Sequence, residues 1–142
     1  MVLVVKEFTP YLFFNGNCAD ALNFYESCLG GTSDITKVSD SAVKDQMPKE
    51  AQDKVLYAHF KSDVVEFSAS DWLHSIRTPK QGNTVCLYIG GTYEELKDIF
   101  SKLADGADKT TLDPLSNAFF GVYGALTDKY GVRWMFKGGS QD

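Results

Sequence analysis

The sequence predicts an α+β domain built from two βαβββ half-repeats. Two apolar, aromatic runs, PYLFFNG at 10–16 and TVCLYIG at 84–90, each lead straight into an amphipathic helical stretch. Each helical stretch stops at glycine, and each is followed by three further strand candidates. The same order of elements is therefore written twice, in half-repeats at about 8–71 and 83–137 joined by a linker at 72–82, within one domain spanning 1–142.

In the first copy Asn17 is a candidate N-cap, with Asp20 three residues on. Ala21, Leu22, Phe24, Tyr25, Cys28 and Leu29 then share one broad helical face, and Gly30-Gly31 ends the helix. Strands are expected at 32–39, 54–61 and 64–70. In the second copy Thr92-Tyr93-Glu94-Glu95 carries the capping-box pattern, EELKDIFSKLA repeats the amphipathic face, and Gly106 stops it. A weak strand is expected at 107–112 and stronger ones at 119–127 and 132–137.

Residues 40–53, DSAVKDQMPKEAQD, are polar and contain Pro48, so they read as a long loop, either a functional lid or a mobile connection. Asp128-Lys129-Tyr130-Gly131 reads as a hairpin turn. Gly121 and Gly124, set between aromatic residues, suggest bends or close backbone approach. The tail GGSQD is expected to fray.

Bulk composition narrows the function classes. The chain has 142 residues, ten Phe, seven Tyr and two Trp, a composition that supports a real core. Its formal charge is −5, and the basic residues are scattered rather than striped, which argues against nucleic acid. No apolar run is long enough to span a bilayer, and the start MVLVVKEFTP lacks the basic leader and long apolar core of a signal peptide, so no membrane association and a cytoplasmic location are expected. Of three cysteines, Cys18 and Cys28 fall on one predicted helix, roughly 15 Å apart and too far for a disulfide. No nucleophile elbow, phosphate loop or dinucleotide fingerprint occurs.

PYLFFNGNCADALNFYESCLGG, QMPKEAQDKVLYAHF and FFGVYGALTDKYGVRWMF follow one another at suitable spacings and cover most of the chain. In these segments the sequence resembles the PhnB-like branch of the vicinal-oxygen-chelate superfamily, the glyoxalase/bleomycin-resistance fold. The resemblance implies curled sheets around a cavity, and commonly a homodimer. It does not imply one reaction, because that scaffold carries isomerases, dioxygenases, thiol transferases and drug-binding proteins.

Metal-dependent relatives place a His on the first strand and a Glu on the last strand of each half. Counting from the strand–helix turns, those positions fall here on Pro10 (or Tyr11), Glu66, Thr84 and Met135. Proline offers no donor and a thioether is a poor ligand for a hard divalent ion. No metal and no cofactor are therefore expected.

Strand alternation then assigns the cavity wall. Leu12, Phe14, Cys86, Tyr88, Arg133 and Met135 are expected to face it. So are Glu66 and Ser68 on one strand, and Tyr57, His59 and Lys61 on another, with Leu56, Ala58 and Phe60 on the opposite face. A two-residue turn at Ser62-Asp63 sets His59 directly opposite Glu66. Such a pair is a candidate general base with its orienter, part of an unusual metal site, or a cross-sheet hydrogen bond. Arg133 is a candidate clamp for an anion or an ion-pair partner of a neighbouring acid, Trp134 is expected under a helix or at an interface, and His74 is expected to be solvated. The functional expectation is a metal-free protein that binds a small molecule along these residues. The alternative is a lyase, isomerase or oxygenase using His59 and Glu66.

Overall fold

The computed structural model describes residues 7–74 and 76–139. The expectations for MVLVVK and for the last three residues of the tail lie outside that range. The fold is α+β, with two four-stranded curled sheets each backed by one helix. The chain divides into two compact units, one made of the residues up to Glu26 with Gly30–Pro79, the other of Ser27–Leu29 with the residues from Lys80 on.

The first unit runs β1 (Tyr11–Phe14), α1 (Cys18–Leu29), β2 (Thr32–Lys37), β3 (Val55–Lys61) and β4 (Glu66–Asp71). Its sheet order is β1-β4-β3-β2, with β1 parallel to β4 and the other pairs antiparallel. The second unit repeats this with β5 (Leu87–Gly90), α2 (Tyr93–Leu103), β6 (Asp113–Ala118), β7 (Gly121–Thr127) and β8 (Arg133–Gly138), in the order β5-β8-β7-β6. Both units are therefore βαβββ.

Each sheet has one face closed by its helix. In the first unit Ala58, Phe60, Phe67 and Ala69 are buried with Ala21, Leu22 and Tyr25 of α1. The Tyr25 ring meets Phe67 edge-on at 5.8 Å, and Phe60 stacks on Phe67 at 5.0 Å. In the second unit Phe100 of α2 meets Phe136 edge-on at 5.1 Å, and Trp134 and Phe136 are fully buried. Gly124 lies in this packed layer: an added Cβ would come within 3.0 Å of Leu115 and 3.1 Å of Phe100, so a side chain there would displace both.

The two helices start differently. In α2, Thr92 and Glu95 form the expected reciprocal capping box. In α1, Asn17 occupies the cap position but its side chain makes no cap bond. The Asp71 carboxylate does that work from the end of β4, accepting from Gly16 N at 3.0 Å and Cys18 N at 2.9 Å, while its other oxygen accepts from Val55 N at 2.8 Å. A buried carboxylate with three backbone donors is well satisfied. It ties β3, β4 and the start of α1 together.

Several expected boundaries move. The weak strand at 107–112 does not form, because the Asp108 carboxylate draws in Thr110 N, Thr110 Oγ1 and Thr111 Oγ1 and folds the segment into a local turn. The sixth strand starts at Asp113 instead, and Phe119 and Phe120 form the turn before β7. The fifth strand starts at Leu87 rather than Thr84. Residues 40–53 carry short 3-10 turns, and Gln52 Nε2 donates to the carbonyls of Lys44, Met47 and Pro48, drawing the segment onto itself. The Asp128–Gly131 turn forms as expected, with Asp128 Oδ1 accepting from Tyr130 N and Val132 N, and Gly131 in the left-handed region at φ 87°.

Candidate functional site

Strand pairing fixes which side chains share the open face of each sheet. In the first unit one row crosses all four strands: Asp34 opposes His59, His59 opposes Ser68, and Ser68 pairs with Tyr11. Tyr57 and Lys61 flank His59 on β3, Glu66 precedes Ser68 on β4, and Phe13 follows Tyr11 on β1 by the same alternation.

Tyr11 and Phe13, not Leu12 and Phe14, therefore stand on the open face of β1. Phe14 is 1% exposed, and Leu12 pairs with the buried Ala69. The expectation for Leu12 and Phe14 is corrected by one residue: the strand's anchor is Tyr11, and a one-residue slip moves every side chain to the other face. Leu56 also departs from its expected face, because it is an extra residue in the β2–β3 ladder, where Thr36 opposes Tyr57 and Lys37 opposes Val55. Val55 is buried in its place.

The β3–β4 hairpin differs from the expected two-residue turn. Ser62 N donates to Val65 O, and Ser62 Oγ accepts from Val64 N and Val65 N, which makes a four-residue loop of 62–65. Lys61 thus opposes Glu66, and His59 opposes Ser68 rather than Glu66. The shift is by two residues, so every face assignment on β4 survives it.

The result is a connected polar cluster. Ser68 Oγ lies 3.3 Å from Tyr57 Oη and 3.3 Å from His59 Nδ1. His59 Nε2 lies 3.6 Å from Glu66 Oε1, diagonally across the strands. That separation exceeds hydrogen-bond length, so it is an electrostatic approach rather than a bond. Ser68 is 5% exposed, whereas the His59 and Glu66 side chains keep 26% and 36% of their surface. Ser68 is the buried anchor, and Tyr57, His59 and Glu66 are the groups presented to solvent.

Beside the cluster stands an aromatic strip. The Tyr11 ring lies 4.8 Å from Phe13 and 6.5 Å from Tyr57, and Phe13 meets Trp72 edge-on at 5.0 Å. Tyr11, Phe13 and Tyr57 are all more than 40% exposed. His74 is exposed, 6.3 Å from the Trp72 ring.

The second unit uses the same frame with different chemistry. Tyr88 pairs with Met135, Met135 opposes Ala125, and Ala125 opposes Asp113. By register Tyr88 matches Tyr11, Met135 matches Ser68, Ala125 matches His59, Tyr123 matches Tyr57 and Arg133 matches Glu66. Tyr88, Arg133 and Met135 share one face by pairing and alternation, while Cys86 lies just before β5. Arg133 is already engaged: Nη1 donates to Thr111 O at 2.7 Å and Thr127 Oγ1 at 3.3 Å, and Nη2 lies 3.8 Å from Asp113. Tyr123 Oη donates to the same Asp113 at 3.3 Å. Trp134 is on the opposite, buried face, donating from Nε1 to Asp128 Oδ2 at 2.8 Å.

This register also revises the metal positions. Tyr11 and Tyr88 are counterparts, so Thr84, which precedes β5, is not. Ser68 is the counterpart of Met135, so Glu66 lies two residues away from the equivalent place. Tyr11, Ser68, Tyr88 and Met135 thus share one register and carry two phenols, a hydroxyl and a thioether. Among the described residues no group of three or more His, Cys, Asp or Glu side chains comes together.

With the frame in place, comparison with known proteins becomes informative. Residues 6–136 match the family described as 3-demethylubiquinone-9 3-methyltransferase. The chain belongs to this PhnB-like family. It is 30% identical to Protein YjdN of Escherichia coli strain K12 over 141 residues, covering 89% of this chain and 91% of that protein. The crystal structure of protein PA1353 from Pseudomonas aeruginosa has a TM-score of 0.79 at 28% identity, covering 96% of this chain and 100% of that one. A putative 3-demethylubiquinone-9 3-methyltransferase, PhnB protein, from Bacillus cereus has a TM-score of 0.70 at 27% identity, covering 94% and 99%. A glyoxylase/bleomycin resistance protein/dioxygenase domain from Frankia shares the fold alone, with a TM-score of 0.61 at 14% identity over 98% and 99% of the two chains.

The members of the polar cluster, Tyr57, His59, Glu66 and Ser68, are all legible in the sequence as wall residues; how they connect is not. His59 and Glu66 stand out as titratable groups on alternating strands. Ser68 as the hub, and Tyr11 and Phe13 as the flanking rings, follow only from the strand register.

Proposed function

We propose that this PhnB-like protein binds a small organic molecule on the open face of its first sheet, and that it does so without a metal ion. The observation that carries this reading is the cluster of Tyr57, His59 and Glu66 around Ser68, set against the rings of Tyr11 and Phe13. Flat rings supply apolar area at low conformational cost, and a few fixed polar groups supply orientation. The family's description names a methyl transfer; the fold here is two curled sheets rather than a doubly wound parallel sheet, and the reading rests on the face and not on that name. Only the first unit carries the cluster, since Ala125, Met135 and Arg133 replace His59, Ser68 and Glu66 in the second.

A second reading is acid–base chemistry. It is favoured by one feature: His59 Nδ1 is within hydrogen-bond reach of Ser68 Oγ while its Nε2 faces the Glu66 carboxylate at 3.6 Å. Binding and turnover separate the two. A thermal-shift screen of small metabolites should return compounds that raise the midpoint equally with and without a chelator. Tyr11→Ala and Tyr57→Ala should abolish those shifts. Hits that vanish on chelation, or that persist in both variants, would count against the proposal; chemical change of a hit that is lost in His59→Gln would favour the acid–base reading.

A further inference from the structure

The hydrogen-bond chain on the first open face has a direction, and that direction selects a class of ligand. Glu66 as a carboxylate can only accept. Its Oε1 approaches His59 Nε2 to 3.6 Å, which favours a proton on that nitrogen. In the neutral ring Nδ1 is then the acceptor. For that tautomer the donor across the 3.3 Å contact is Ser68 Oγ. Its lone pairs in turn accept from Tyr57 Oη at 3.3 Å. With its proton directed inward, the Tyr57 oxygen offers solvent only lone pairs. Glu66 offers the same at the other end. Both exposed ends of the chain are acceptors.

The surroundings have the same polarity. The Tyr11 and Tyr57 rings, 6.5 Å apart, and Phe13 beside Tyr11 present negative π-faces. Asp34 opposes His59 from the edge strand β2 and adds a second carboxylate to that row. The cation in register is Lys61, which opposes Glu66 on an exposed, flexible stem; a ligand cation competes with it for the carboxylate.

We infer that this face takes a small organic cation, a protonated amine, amidine or guanidine carried on a flat apolar body. The inference rests on the proposal that the first open face is the ligand site. The N–H groups of such a ligand meet the Glu66 carboxylate and the Tyr57 oxygen, and the rings cover its body. A carboxylate or phosphate ligand would meet lone pairs at both ends.

Benzamidine, benzamide and benzoate test this, because they share one ring and differ in charge. Binding to the intact protein is followed by backbone amide NMR shifts. Benzamidine should shift residues 11–13, 57–61 and 66–68 saturably, with an affinity about tenfold or more above benzamide, and benzoate should not saturate. Glu66→Gln should weaken benzamidine about tenfold, and Tyr57→Phe by a smaller factor, with amide shifts elsewhere unchanged. Benzamide or benzoate binding these residues as tightly as benzamidine, or Glu66→Gln leaving benzamidine unaffected, overturns the cation preference and leaves the ligand site standing. Shifts confined to other residues, or no saturable shift with any of the three, overturn both.

Discussion

Ser68 Oγ and His59 Nδ1 lie 3.3 Å apart because their residues are directly opposed on neighbouring antiparallel strands. The opposition is set by the four-residue loop that Ser62 builds, and it places a buried hydroxyl under an imidazole whose far nitrogen looks toward Glu66. Strand register, rather than side-chain flexibility, holds the candidate site together.

The tautomer of His59 is the first consequence. Imidazole nitrogen shifts of the neutral ring should show the proton on Nε2, with Nδ1 unprotonated. Ser68→Ala should leave the fold intact while broadening the His59 and Tyr57 side-chain resonances, since both lose their common anchor. A proton on Nδ1 in the parent protein would contradict the direction given to the chain.

Asp71 should matter more to stability than any surface charge. Its carboxylate is 3% exposed and accepts three backbone N–H groups from the β1–α1 connection, α1 and β3. Asp71→Ala should cost about 3 kcal/mol or more, read as a lowered urea midpoint with an unchanged slope. A loss under about 1 kcal/mol would mean that water replaces the carboxylate without penalty.

At α2 the capping box sets a smaller term with a defined pH sign. Thr92→Ala should cost about 1 kcal/mol. The backbone bond from Thr92, with its side chain adding to it, holds the Glu95 carboxyl below the ordinary glutamate value. A depressed folded pKa stabilises above the unfolded value, and that stabilisation is lost as pH falls through the folded value. The effect of Glu95→Gln on the urea midpoint should therefore be larger at neutral pH than in acid. An effect independent of pH would contradict the box.

The three thiols should react in a fixed order. Burial first, and the Asp71 carboxylate second, push the Cys18 thiol up to about 12, and burial pushes Cys28 up as well. Cys86, only half-buried at the foot of β5, should be alkylated first in the native protein, with Cys18 and Cys28 labelled only on unfolding. Mass-spectrometric mapping after brief iodoacetamide treatment checks this; early modification of Cys18 would show that α1 opens readily.

Much of this architecture is legible in the chain. The paired strand–helix openings, the Gly30 stop and the Thr92 capping box are local patterns, and each appears in the structure, although the fifth strand starts late and α2 ends at Leu103, before Gly106. Faces survived where errors came in twos: a hairpin longer by two residues moved Glu66 away from His59 without turning either to the other side. They failed where the error was one residue, as on β1, where Phe14 went to the core and Tyr11 and Phe13 to the open face. The Asp71 cap was not legible, because a carboxylate that reaches a helix 53 residues back in the chain leaves no local signature. Nor was the hub role of Ser68, which exists only once two strands are in register.

The most direct test of the account is a crystal structure of the protein soaked with a compound that stabilises it in the thermal-shift screen. The account predicts density stacked against Tyr11 and Phe13 with a polar group at Glu66 and Tyr57, and no metal ion between compound and protein. Density seated over Tyr88 and Met135 instead, or a compound held through a divalent ion, would contradict it.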